Sequence, residues 1–159
     1  MTIFATDYLS IIMSNMKKLS VLGIFAFILL MSGCGDRTVT ADQVPEPVKA
    51  FIQQTFPGQT ISYAEKDVEL TGSKYDVVLA DGTRIEFDTD NIWDKIECTL
   101  ANPVPTALIP AAIATHIQTN FPDAIILKID KEHYGYEVEL ANGLELKFNK
   151  QGALMEVDD

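Results

Sequence analysis

The residues best equipped for chemistry fall into three groups, and each stops short of a reaction centre. Asp88, Asp90, Asn91 and Asp94 gather oxygen ligands in a short stretch. A calcium-binding EF-hand loop, however, needs glycine at its sixth position and glutamate at its twelfth. Counted from Asp88, those positions hold Trp93 and Thr99. A polar hairpin turn fits the stretch better, because Asn149-Lys150-Gln151-Gly152 occupies the same place further along the chain. Cys98 could act as a thiol nucleophile with His116 or His133 as its base. Nothing in the spacing brings a base to it, and a reactive thiol needs a lowered pKa. Two histidines and one thiol without ligand spacing do not make a zinc site. Ser62 and Ser73 lie outside any Gly-x-Ser-x-Gly setting. Carboxylate pairs such as Glu137 and Glu139 are expected in so acidic a chain. The sequence therefore predicts no catalytic residue, no cofactor and no metal, and the chain does not read as an enzyme.

A fourth residue, Cys34, has a different chemistry. Met16-Lys17-Lys18 is a short basic start, and the apolar run Val21–Met31 follows it. That run is too short to span a bilayer as a helix and suits the hydrophobic part of a signal peptide. It ends in Leu30-Met31-Ser32-Gly33-Cys34, which resembles the bacterial lipobox, with small residues before the cysteine. Residues 1–33 are thus expected to be a signal peptide and Cys34 the lipidated first residue. The start lies at Met16 or, alternatively, residues 1–15 form a longer region ahead of the apolar run. A plain signal peptide followed by a chance cysteine is the other reading. Each buried CH₂ contributes about 0.8 kcal/mol, so several acyl chains anchor firmly. Gly35 rather than Asp follows the cysteine, which by the usual sorting rule favours the outer membrane of a bacterial envelope. Residues 34–43 read as the lipidated cysteine and a flexible, polar tether.

The whole chain carries 23 acidic and 12 basic residues. Removing Asp7, Lys17 and Lys18 with the signal peptide leaves a net charge of −12 on residues 34–159. That balance argues against nucleic acid, whose phosphates call for Lys and Arg. It leaves membrane contact to the lipid anchor. With Cys34 acylated, Cys98 is alone and no intrachain disulfide is expected.

The elements that could position a site come in two similar sets. Val44–Pro57 aligns with Ile109–Pro122, and Tyr75–Gly82 aligns with Tyr136–Gly143. The offsets differ by four residues around Leu70-Thr71-Gly72-Ser73, which predicts a longer turn in the first set. Val48, Phe51, Ile52, Thr55 and Phe56 follow helical spacing, as do Ile113, His116, Ile117, Asn120 and Phe121. His116 takes the place of Phe51, so it reads as a packing residue. Pro57 and Pro122 end the helices, since the residue before a proline leaves the α region. Alternating residues then predict strands near 60–68, 74–79, 84–88 and 92–97, and again near 125–131, 136–140, 145–148 and 154–157. The Asp81-Gly82 and Asn142-Gly143 pairs mark tight hairpins. The expected fold is α+β. Two tandem αβ₄ repeats occupy residues 44–98 and 109–159, with a linker at 99–108. Their meanders join into one eight-stranded sheet or stay separate, with the helices on one face.

This order of elements resembles the PepSY-like domain family of exported Bacteroidetes proteins. The resemblance rests on Val-Pro, Phe-Pro, Tyr-Asp-Val, Asp-Gly, Ile-Glu-Phe-Asp and Trp93, and covers residues 44–97 and 109–158. It implies similarity to a secreted β-lactamase inhibitor protein built from tandem αβ₄ repeats, which binds an enzyme on the open face of its sheet. The second set departs at Ala153-Leu154, where the first has Ile92-Trp93.

The open sheet face is where the residues point to function. Strand parity puts Tyr63, Asp76, Val78, Arg84, Glu86, Trp93 and Lys95 there, with Lys128, Glu137, Glu139, Glu145, Lys147, Leu154 and Glu156 from the second set. Trp93 is out of phase with Ile92 and Ile96, which would be core. Exposed aromatics beside charges are typical of interface hot spots. The chain is therefore expected to be a non-catalytic binding module for a protein partner, an exported enzyme among the options, through Trp93, Tyr63, Arg84, Val78, Glu86, Lys95, Lys128 and Leu154. Alternatively Trp93 and Tyr63 merely cover one another, and the chain is a small-ligand carrier or sensor of the envelope.

Overall fold

A computed structural model describes residues 37–158. The expected signal peptide and Cys34 lie outside the described residues. Nine strands run in chain order: β1 Arg37–Val39, β2 Ile61–Glu69, β3 Gly72–Leu79, β4 Arg84–Phe87, β5 Trp93–Glu97, β6 Ile126–Glu132, β7 Gly135–Leu140, β8 Glu145–Asn149 and β9 Leu154–Asp158. Helix α1 spans Glu46–Thr55 and helix α2 spans Ala111–Asn120. All nine strands pair antiparallel with their sequence neighbours in one meander sheet, so the fold is α+β. Among the described residues no helix is long and apolar enough to cross a membrane.

Period-two alternation builds the core. Val39, Ala64, Val77, Ile85, Ile96, Ile129, Val138, Leu146 and Val157 are successive cross-strand partners through the whole sheet. The seven between the two edges are 0 % exposed. Each of these burials except that of the smaller Ala64 contributes about 1.5–3 kcal/mol. Val48 and Ile52 of α1 and Ile113 and Ile117 of α2 join the same buried cluster. Phe51 meets Phe87 edge-on at 5.6 Å between ring centroids, and His116 meets Phe148 at 5.5 Å. The helices stop as the prolines require. Phe56 and Phe121 leave the helical region while their N–H groups still donate to Ile52 and Ile117.

Three expectations need correction. The stretch 34–43 is not all tether. Arg37–Val39 pairs with Lys66–Ala64, and Ala41–Gln43 forms a 3₁₀ turn whose Gln43 side chain accepts from the Thr40 N–H at 3.0 Å. Three residues are too few to show a period, which is why polar composition hid the strand. Secondly, the first set does not have a longer turn. Both hairpins turn in two residues, Leu70-Thr71 and His133-Tyr134, and the first hairpin instead adds the rungs Val68↔Ser73 and Glu69↔Gly72. Thirdly, the phase expected at the start of β5 is inverted, while Lys95 and Ile96 keep their expected sides. Ile92 is 54 % exposed, whereas Trp93 packs against the core. The cause is a bulge. Glu86 pairs with Lys95 but Phe87 pairs with Trp93, so Asp94 is an extra residue.

Candidate functional site

The face opposite the buried row carries charge on every strand from β2 to β9. Thr38, Glu65, Asp76, Glu86, Lys95, Asp130, Glu137, Lys147 and Glu156 are successive partners across the nine strands. None of them is buried. A second line beside it runs from Tyr63 through Val78, Arg84, Glu97, Lys128 and Glu139 to Glu145.

Cross-strand ion pairs organise these rows. Lys95 lies 3.2 Å from Glu86, Lys128 3.0 Å from Glu137, and Lys147 3.2 Å from Glu156 and 2.5 Å from Asp158. Arg84 reaches Asp76 only at 4.0 Å. The exposed ones each contribute little, about 0–1 kcal/mol. Lys128–Glu137 is the most enclosed pair, with side chains 16 % and 17 % exposed. Burial pulls the Lys128 ammonium down, but the hydrogen bond and charge of Glu137 outweigh it and raise its pKa. Acids outnumber bases here, and the excess is felt. Partial burial raises Asp76, Asp94 and Asp130, with neighbouring carboxylates Glu86, Asp88 and Glu132 adding to it in turn. The Asp76 Oδ1 atom is buried and has no hydrogen-bond partner among the described residues.

At one end of this face a cleft of about 280 Å³ is lined by Glu65, Asp67, Lys74, Asp76, Glu86 and Asp94, with Tyr75 and Phe87. Tyr63 stands near it, 42 % exposed. Its hydroxyl donates to Glu65 and lies 3.3 Å from the Thr38 hydroxyl. The turn that invited a calcium reading is occupied by its own backbone. Asp88 Oδ1 accepts from the N–H groups of Asp90 and Ile92, and Asn149 Oδ1 accepts from Gln151 and Ala153 in the same way. Cys98 is buried, and burial pushes its thiol up to about 11, the opposite of activation.

The comparisons with known proteins decide the family. The sequence model described as "Putative beta-lactamase-inhibitor-like, PepSY-like" matches residues 30–71 and 73–156. The chain belongs to the PepSY-like family. No curated protein matches it. A crystal structure described as a "putative periplasmic protein from DUF2874 family" of Bacteroides vulgatus is 34% identical, with a TM-score of 0.72. That match covers 80% of this chain and all of the other. A "putative calcium-regulated periplasmic protein" of Bacteroides thetaiotaomicron is 35% identical, with a TM-score of 0.71, covering 78% of this chain and 97% of the other.

In this PepSY-like chain the candidate residues separate into two groups. Tyr63, Val78, Arg84, Glu86, Lys95 and Lys128 share the uncovered face. Trp93 and Leu154 do not join them. The bulges pair Trp93 with Phe87 and Leu154 with Phe148, so both turn to the helix side. The Trp93 ring instead receives the Lys131 ammonium, 3.5 Å from its centroid, and the same ammonium donates to the Trp93 carbonyl at 2.7 Å. A cation over an indole face contributes about 0.5–2 kcal/mol. Sequence reasoning passed over Glu65, Glu97 and Asp130 on the open face. The signal was available, since each lies two residues from a residue already placed there.

Proposed function

We propose that the chain is a non-catalytic, lipid-anchored module of the bacterial envelope that binds a protein partner on the open face of its sheet. The fold would be two copies of one αβ₄ unit, with both helices committed to the buried side. One observation carries this reading. The face opposite the core is a continuous field of charged side chains with Tyr63 exposed at its end, and neither helix supplies its packing residues to it. The β-lactamase-inhibitor-like description of the family supports it, and an exported enzyme is the kind of partner that description suggests. The periplasmic relatives support an envelope location, and Cys34 followed by Gly35 supports a lipid anchor in the outer membrane.

A small-ligand carrier has less in its favour. The open-face cleft is small, and six of its eight lining residues are charged, whereas small-molecule pockets are mostly apolar and span about 300–1,000 Å³. Calcium, which the Bacteroides thetaiotaomicron relative's description raises, is said of that protein; among the described residues of this chain no group of three or more His, Cys, Asp or Glu side chains is placed to hold a metal ion.

The test is affinity capture from envelope extract of the source organism, using residues 35–159 as bait. A protein retained by the wild type and by the helix-side variant Lys49→Glu, but lost with Arg84→Glu plus Lys128→Glu, is the expected result. Equal retention by all three baits would sink the open-face reading.

A further inference from the structure

The two sheet halves end on strands of the same construction, yet among the described residues one is covered on its outer side and the other is not. β5 pairs with β4 through Arg84↔Glu97, Ile85↔Ile96 and Glu86↔Lys95. β9 pairs with β8 through Glu145↔Asp158, Leu146↔Val157 and Lys147↔Glu156. Both ladders shift register one rung later, just before Phe87 and Phe148. Glu156, Val157 and Asp158 of β9 therefore stand where Lys95, Ile96 and Glu97 stand in β5.

The outer side of β5 is filled by β6. Asp130 lies opposite Lys95, Ile129 opposite Ile96, and Lys128 opposite Glu97. Each rung sets opposite charges or apolar groups against each other, and Ile96 is fully buried as a result. Among the described residues nothing lies beyond β9. Val157, on the core-facing row, is 46 % exposed, and Met155 is 51 % exposed. An edge strand of this kind presents unpaired backbone groups as well as uncovered side chains.

We propose that β9 is a docking edge that accepts one antiparallel strand from a partner protein, with a basic, β-branched, basic side-chain sequence. The rule is that of the β5–β6 seam applied to the residues of β9. A base meets Glu156, a branched apolar residue covers Val157, and a second base meets Asp158. Lys147 already holds both carboxylates, but one ammonium against two leaves a net negative charge, and their side chains remain 55 % and 43 % exposed. Backbone pairing then supplies affinity and the three side chains supply selection.

A second copy of this chain is the wrong occupant. β9 against β9 opposes carboxylate to carboxylate, and like charges opposed across a ladder destabilise it. The strand β2, which pairs with β3 as β6 pairs with β7, already has β1 on its outer side and would offer Glu65 to Glu156. Acidic residues on an edge strand guard against such self-pairing, and the same charges select a basic strand.

The probe is a synthetic peptide, acetyl-Gly-Lys-Val-Lys-Gly-amide, titrated into isotope-labelled residues 35–159 at physiological ionic strength. The expected result is saturable binding with amide shifts concentrated on β9 and β8. Val157→Lys should weaken it by about tenfold, since it sets an ammonium against the peptide's apolar valine and adds positive charge facing a basic peptide. The glutamate counterpart of the peptide should not bind, and methylating the backbone nitrogens of the peptide should abolish binding. Arg84→Glu plus Lys128→Glu should leave it unchanged, which separates this edge from the open face. No saturable binding, shifts centred on the open face, or dimerisation of the chain through β9 would each overturn the proposal.

Discussion

Phe87 and Trp93 oppose each other across the β4–β5 ladder, on the side of the sheet that faces the core. Asp94, the extra residue of the bulge, makes this possible by turning the indole away from the charged face. Trp93 is then a structural residue with Lys131 stacked on it. Trp93→Ala should cost about 2 kcal/mol, below the 3–5 kcal/mol of a fully buried tryptophan because this one is half-buried. Urea unfolding followed by circular dichroism reads it directly. A change within the scatter of surface substitutions would return Trp93 to the exposed face.

How much of this was legible in the sequence depended on where alternation ran unbroken. Tyr75, Val77 and Leu79, with Ile85 and Phe87, fixed β3, β4 and their buried side, and Tyr136, Val138 and Leu140 did the same for β7. The helices were legible down to their prolines. The bulges were not. No glycine marks Asp94 or Met155, and one unmarked extra residue inverts every side chain beyond it. The inversion at Asp94 moved Trp93 out of the candidate site and Ile92 out of the core, and the one at Met155 moved Leu154 out of the site. The charged members of the face survived because they sit on the unbroken side of each bulge.

Gly152 and Gly143 separate steric crowding from backbone strain. Both have positive φ, +79° and +89°. A Cβ on Gly152 would lie 2.6 Å from the Ala112 Cβ at the start of α2, whereas nothing lies within 4 Å of one on Gly143. Gly143→Ala should therefore cost only the left-handed backbone penalty, about 1–2 kcal/mol. Gly152→Ala should add to it an overpacking cost of about 1–3 kcal/mol. Combining Gly152→Ala with Ala112→Gly should recover part of the difference. Thermal melts of the three variants and the wild type check this, and equal losses at the two glycines would refute the contact with α2.

Cys98 should be inert in the folded chain. The residue is 8 % exposed and burial pushes its thiol up to about 11, so at pH 8 the thiolate fraction is about one in a thousand. In a Cys34→Ser background, where Cys98 is the one remaining thiol, labelling by a disulfide-exchange reagent should be slow without denaturant. Its rate should rise along the urea unfolding curve. Rapid labelling at pH 8 in buffer alone would mean that the strand end opens readily.

The acidic face makes stability depend on pH with a definite sign. Partial burial raises the carboxyl groups of Asp76 and Asp130 above the ordinary aspartate value of 3.8. Asp76 also faces Glu65 of β2 and Glu86 of β4, against Arg84 of β4 and Lys95 of β5. Asp130 faces Glu132 and Glu137 against Lys95 and Lys128. A raised folded pKa means that the folded chain binds the proton more tightly than the unfolded chain. The stability these two groups contribute is then fully present below 3.8 and lost as pH rises through their elevated folded values. Asparagine keeps the shape and removes the charge. The double variant Asp76→Asn, Asp130→Asn should therefore exceed the wild type in stability at pH 7, and its advantage should shrink as pH falls towards 4. Urea midpoints measured across that range give the two curves. An advantage that stays constant with pH would show that the charge of Asp76 and Asp130 is not what strains this face.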